Sequence, residues 1–148
     1  MAKILAVCRS DAKGTCKTPV EKIDIRKDYG VETDAHASSE THRQVSLMAI
    51  ESINRMRDEG YPVSPGSFAE NLTTEGLDLV SLPIGSKLKV GKDVLLEVTQ
   101  IGKECHTGCA IFKQVGKCIM PKEGVFARVI QGGPVRPGDS IKTERNGK

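Results

Sequence analysis

Residues 101–124 hold three of the chain's five cysteines, Cys105, Cys109 and Cys118, and one of its three histidines, His106. A thiolate suits soft-metal ligation, persulfide formation and nucleophilic attack, and each of these needs a lowered thiol pKa. Lys103 and His106 stand next to or near Cys105, and Cys109 to Val115 reads as one or two helical turns capped by Thr107 or Gly108 and stopped by Gly116. Cys105 then lies just ahead of a helix N-terminus, where backbone N–H groups favour a thiolate. Three alternatives stay open at this point. One is a set of buried thiols without chemistry. Another is zinc, for which the spacings of three and eight intervening residues supply only one short knuckle. The last is a redox pair, which wants two intervening residues rather than three.

The elements that must position these thiols are strand-like runs on either side. Val94 to Ile101 follows Lys87 to Val90 around Gly91-Lys92-Asp93 as a hairpin, and Val125 to Ile130 resumes the pattern after the cysteines. The interval between, roughly 102–123, exceeds the ~12–15 residues at which an irregular connection calls for a functional reason. Upstream, Ile4 to Cys8 is a short apolar run that suits a buried strand and puts Cys8 in the core, while Cys16 falls in a polar turn. Ile23 and Ile25 alternate as a half-buried strand, and the turn after them delivers Asp34 and His36, which share a side only if the backbone is extended. Ser46 is expected to cap the one long helix, with Ala49, Ile50, Ile53 and Met56 on its apolar stripe, Glu51 and Arg55 paired on its wet face, and Gly60 and Pro62 ending it. Gly132-Gly133-Pro134 turns into a last strand at Ser140 to Thr143. Many short strands with Gly and Pro turns and one long helix predict a mainly β fold, a closed or nearly closed barrel with a few short helical turns.

Composition narrows the function classes. With 148 residues, 38% apolar and 28% charged, the chain can bury one core without staples. A net charge of +3 with both signs interspersed gives no footprint for nucleic acid. No run approaches the ~18–20 apolar residues of a membrane span, and the first residues are too short and strand-like for a signal peptide. Neither nucleic acid nor membrane is an expected partner, and five cysteines that cannot all pair fit a reducing, cytoplasmic setting.

Asp34-Ala35-His36, His42-Arg43-Gln44-Val45-Ser46-Leu47, Gly66-Ser67-Phe68-Ala69-Glu70-Asn71-Leu72, Leu82-Pro83-Ile84-Gly85, Gly102-Lys103-Glu104-Cys105, and Gly124 to Val129 with Gly138-Asp139 follow one another in a set order. That ordered set resembles the MOSC domain, found at the C-terminus of molybdenum cofactor sulfurases and as a small stand-alone protein. The resemblance is strongest over residues 20–143, a single domain is expected over 1–148, and Cys109, Cys118 and Cys118-Ile119-Met120-Pro121 are similar to the small bacterial branch. Many members carry Gly where this chain has Thr33 and Ala69.

The resemblance implies a β-barrel-like domain that handles sulfur and the molybdenum–pterin cofactor. By position, Cys105 would be the sulfur carrier or molybdenum ligand, Asp34, His36, His42, Arg43, Glu70, Asn71 and Arg128 would shape the cofactor pocket, and Cys109 would be a helper thiol. The implied partners are a cysteine desulfurase or other sulfur donor, and molybdenum cofactor biosynthesis proteins or molybdoenzymes. Pyridoxal phosphate belongs to the fused sulfurases, and its lysine has no home in this chain. Two other functions remain open: a molybdenum oxidoreductase that reduces N-hydroxylated substrates with a separate electron donor, and a protein that only stores or delivers cofactor.

Overall fold

Strand β8, Val94–Ile101, turns an alternating sequence into two unlike faces: Val94, Leu96 and Val98 are fully buried while Leu95, Glu97 and Thr99 are half-covered. The period of two in a pleated strand sends them to opposite sides, and the β-branched and Leu side chains fill the inner one. The computed structural model describes residues 2–10, 17–32, 34, 38–68, 70–102 and 124–144.

Eight strands form one sheet in the order β11-β7-β8-β9-β5-β6-β1-β2. They are β1 (Lys3–Arg9), β2 (Thr18–Val20), β5 (Val45–Ala49), β6 (Leu72–Glu75), β7 (Lys87–Val90), β8, β9 (Val125–Gln131) and β11 (Ile141–Glu144). Strands β3 (Ile23–Arg26), β4 (Gly30–Val31) and β10 (Gly133–Val135) make a second sheet in the order β10-β3-β4. One apolar cluster runs through both sheets, from Ile4, Ile23, Ile25 and Val31 to Val45, Leu72, Leu96, Val98 and Ala127. The other gathers Met48, Phe68 and Phe126 with Ile50, Ile53 and Met56 of helix α1 (Ile50–Asp58). Taking a side chain such as fully buried Ile53 out of water contributes about 1.5–3 kcal/mol. No helix among the described residues is long and apolar enough to cross a membrane.

Among the described residues the fold is mainly β with one α-helix, but the barrel is not closed. The ladder ends at β11 on one side and β2 on the other. What draws the ends together is an isolated bridge between Lys3 and Ser140, with Ile4 N donating to Asp139 O and Gly138 N to Ile4 O, each at 2.7 Å. These bonds use the first half of β1's free edge, and β2 occupies the second half at Val7, Cys8 and Arg9. A short β1 thus serves two neighbours on one edge, which curls the sheet without giving it a closing strand.

The region 45–49 also departs from expectation. Ser46 does not cap the helix: it lies inside β5, and α1 starts after Ala49 with no side-chain cap. Val45 and Leu47 point to the large core and Met48 to the helix-side core, so both faces are covered and the segment reads as a continuous apolar run. Such a run carries no periodicity to separate strand from helix. Strand β6 follows the helix and pairs in parallel with β5, so β5-α1-β6 is a crossover unit. Glu51 Oε2 accepts the N–H of Gly76 at 2.9 Å, tying α1 to the end of β6. Gly133 and Pro134, expected in a turn, lie instead in β10, which pairs with β3. The helical turns expected over Cys109 to Val115 lie outside the described residues.

Candidate functional site

The cysteine segment leaves the sheet at the end of β8 and returns at the start of β9. Ile101 and Val125 are register partners, Gly102 N donates to Gly124 O at 2.7 Å, and Gln100 Nε2 donates to Gly102 O at 2.7 Å. The root of the segment is therefore a hydrogen-bonded part of the sheet. Cys105, Cys109 and Cys118 themselves, and His36, lie outside the described residues, as do Thr33 and Ala69.

One rung of the sheet leads away from that root. Gln100 is opposite Phe126 and Phe126 opposite Ser46. Asn71 then joins Ser46 to β1: its Oδ1 accepts from Ser46 N at 3.1 Å and Ser46 Oγ at 3.3 Å, and its Nδ2 donates to Cys8 O at 3.1 Å. Since Val125, Ala127 and Val129 face the large core, alternation puts Phe126 and Arg128 on the other face, with Ser46 and Met48. The sequence-predicted residues that are described sort into two groups along this face.

The first group is buried. Lys17 Nζ lies 2.7 and 3.0 Å from the two Asp34 oxygens, both side chains are 0% exposed, and Ser10 N donates to Asp34 Oδ1 at 2.9 Å. Glu70 Oε2 accepts from Gly66 N at 2.9 Å and Thr73 Oγ1 at 2.7 Å, while buried Oε1 has no hydrogen-bond partner. Burial raises the Glu70 pKa above the carboxylate range, against the pull of those donors. Burial also lowers the Lys17 pKa, opposed by its bond to Asp34. Cys8, between them electrostatically, is pushed up to about 12 by burial first and by Glu70 second. At neutral pH it is a thiol and a poor nucleophile. Gly66 makes the packing possible: its φ is +90° and a Cβ there would meet Lys17 O at 2.2 Å.

The second group is open to solvent. His42 Nδ1 lies 2.8 Å from Thr99 Oγ1, the Arg43 guanidinium sits 5.9 Å from the centre of the Phe126 ring, and Arg128 Nη2 contacts Glu97 Oε1 at 2.8 Å across β8 and β9. Buried Gln44 anchors this corner by accepting Val129 N at 3.0 Å and donating to Asp28 Oδ1 at 3.1 Å. His42 and Arg43 thus contact Thr99 and Phe126, close along the strands to the root of the cysteine segment, and Arg128 pairs with Glu97 farther along them, whereas Asp34, Glu70 and Asn71 turn inward. Lys17 and Thr99 went unnoticed in the sequence. Nothing marks Lys17 for burial, but alternation along β8 does place Thr99 on the non-core face. Two grooves of about 360 and 400 Å³ lie beside α1 and beside β11, and none of these residues lines either.

The donor set fits a cofactor with an anionic pterin only in part. Arg43 and Arg128 supply cations and His42 a ring nitrogen, but among the described residues no three His, Cys, Asp or Glu side chains are grouped to hold a metal ion.

The fold is shared with solved structures. The YuaD protein of Bacillus subtilis is 20% identical with a TM-score of 0.76, over 96% of this chain and 94% of that one. YiiM from Geobacillus stearothermophilus is 21% identical with a TM-score of 0.75, over 99% and 77%, and YiiM from Escherichia coli is 20% identical with a TM-score of 0.66, over 97% and 68%. No curated protein sequence matches significantly. The MOSC domain model, by contrast, matches residues 32–142, a span that includes β5, the root of the cysteine segment and most of the large sheet. The chain belongs to the MOSC domain family, which is associated with the molybdenum cofactor.

Proposed function

We propose that this protein is a sulfur-carrying, molybdenum-cofactor-binding module whose working thiol is Cys105. The observation that carries the reading is the root of the cysteine segment: Gly102 and Gly124 are bonded to each other two residues from Gln100 and Phe126, beside His42 and Arg43. A thiol delivered from that root starts on the side of the solvent-open cations rather than among the buried groups around Lys17, Asp34 and Glu70. The cofactor, when bound, supplies a molybdenum centre that takes a soft thiolate ligand. On this reading Arg43 and Arg128 hold its anionic parts, and Asn71 keeps β1, β5 and β6 in register beneath them.

In the sulfur-carrier step, the Cys105 thiolate attacks the outer sulfur of a persulfide on a cysteine desulfurase. A new S–S bond forms on Cys105 as the donor's S–S bond breaks, and the donor cysteine leaves as a thiolate that takes up the proton Cys105 lost. No net oxidation occurs. A reducing cytoplasm would keep the thiols competent for this exchange.

The test is the molybdenum and pterin content of protein purified from cells that make the cofactor. The wild type should retain both, and Cys105→Ser should lose most of the metal, because a hydroxyl is not a soft ligand. Equal metal in the two proteins would refute the assignment of Cys105.

A further inference from the structure

Thr99 is the extra residue of a β-bulge. The β8–β9 register pairs Val98 with Ala127 and Gln100 with Phe126, which leaves Thr99 without a partner in the ladder. A bulge re-aims the side chain it carries. Here Thr99 Oγ1 comes to 2.8 Å from His42 Nδ1, 3.1 Å from His42 O and 3.3 Å from Phe126 O.

These three contacts decide where the protons are. A hydroxyl has one hydrogen to donate, and carbonyl oxygens can only accept. Were that hydrogen given to Nδ1, both carbonyls would face the hydroxyl's lone pairs. If it goes to a carbonyl, Nδ1 must bring its own hydrogen and donate to Oγ1. The second arrangement satisfies one more bond and removes one repulsion. A neutral imidazole free in water prefers its hydrogen on Nε2, so the site reverses the ordinary preference. Nε2 is left with a lone pair, and no described residue takes it up.

We propose that Thr99 fixes neutral His42 as its Nδ1–H tautomer, so that Nε2 accepts a hydrogen bond from an N–H or O–H of the bound ligand rather than meeting an anion. Thr99 is then a positioning residue. Adjacent Arg43, with its guanidinium over Phe126, supplies the complementary cation. The two neighbours divide the ligand: an uncharged heterocycle edge carrying N–H falls to His42 and an anionic group to Arg43. The choice of a pterin as that heterocycle rests on the function proposed above; the tautomer does not.

Long-range proton–nitrogen correlation spectra of the full-length, ligand-free protein with ¹⁵N-histidine would test this at about pH 8.5, where an ordinary imidazole is neutral. The expected pattern for His42 is a protonated Nδ1 and an unprotonated Nε2. Thr99→Val, with an unchanged circular dichroism spectrum, should return the ring to Nε2–H. A wild-type ring with the hydrogen on Nε2, or a Thr99→Val ring still locked as Nδ1–H, overturns the proposal. Added pterin should move the His42 Nε2 resonance and inorganic phosphate should not. A shift with phosphate alone, or with neither probe, overturns the ligand assignment. Sulfur loading of Cys105 is a separate measurement, so a failure here and a failure of the proposed function are told apart.

Discussion

The two polar groups on the outer face of the sheet differ in what they have left to give. Around Lys17, Asp34, Glu70 and Asn71, almost every donor and acceptor is engaged and water is excluded. At His42, Arg43 and Arg128, the partners are a hydroxyl, a ring face and a half-exposed carboxylate, and the groups stay in reach of solvent. A buried charge that loses its partner leaves an uncompensated charge in low dielectric, whereas an exposed one is solvated by water. The same residue types therefore hold the fold in one place and remain available to a ligand in the other.

The largest effect expected from breaking this contrast is at the buried pair. Lys17→Met leaves Asp34 buried and should cost about 3–5 kcal/mol in urea unfolding. The double variant Lys17→Met/Asp34→Leu should recover most of it, since a buried pair exchanged for apolar groups of similar volume is often near neutral. A small loss for the single variant would mean that the pair is open to water and that the contrast is absent.

Glu70 sharpens the comparison through pH. Its folded pKa is raised above the unfolded value, so the folded state binds the proton more tightly. That contribution to stability is complete below the unfolded value, about 4.3, and is lost as pH rises through the folded one. Glu70→Gln has no proton to lose. Its stability relative to wild type should therefore improve steadily as pH rises from about 4.3 through the elevated pKa, as measured by urea midpoints. A constant difference would mean that Glu70 titrates as an ordinary carboxyl.

The smallest effect on stability is expected on the open side. Arg128→Ala removes a half-exposed pair and should change unfolding free energy by only about 0.2–1 kcal/mol. Its consequence should show in cofactor retention instead. Loss of stability comparable to that of Lys17→Met would place Arg128 with the structural group.

The legible parts of the sequence were those with one buried face. Ile23 and Ile25 and the Lys87 to Ile101 hairpin alternate because one side meets the core and the other does not. Strand β5 hid its nature because both its faces are covered, and β6 hid because Thr73 and Thr74, polar in sequence, are fully buried. Closure of the barrel could not be read, since it depends on how β1 divides one edge between β2 and residues 138–140. In the site, polar type alone could not separate Asp34, Glu70 and Asn71 from His42, Arg43 and Arg128. Burial separates them, and burial comes from partners distant in sequence such as Lys17 and Ser46.

The central claim is that the working thiol is in the segment rooted at Gly102 and Gly124, and that it is Cys105. It is tested most directly by site-resolved mass spectrometry of the full chain after incubation with a cysteine desulfurase and cysteine. The account predicts one added sulfur atom on the peptide carrying Cys105 and none on the peptide carrying Cys8, whose thiol is held protonated. Loading should vanish in Cys105→Ser and persist in part in Cys109→Ser and Cys118→Ser. Wild-type loading of Cys105→Ser together with its loss in Cys118→Ser, both folded by circular dichroism, would contradict it.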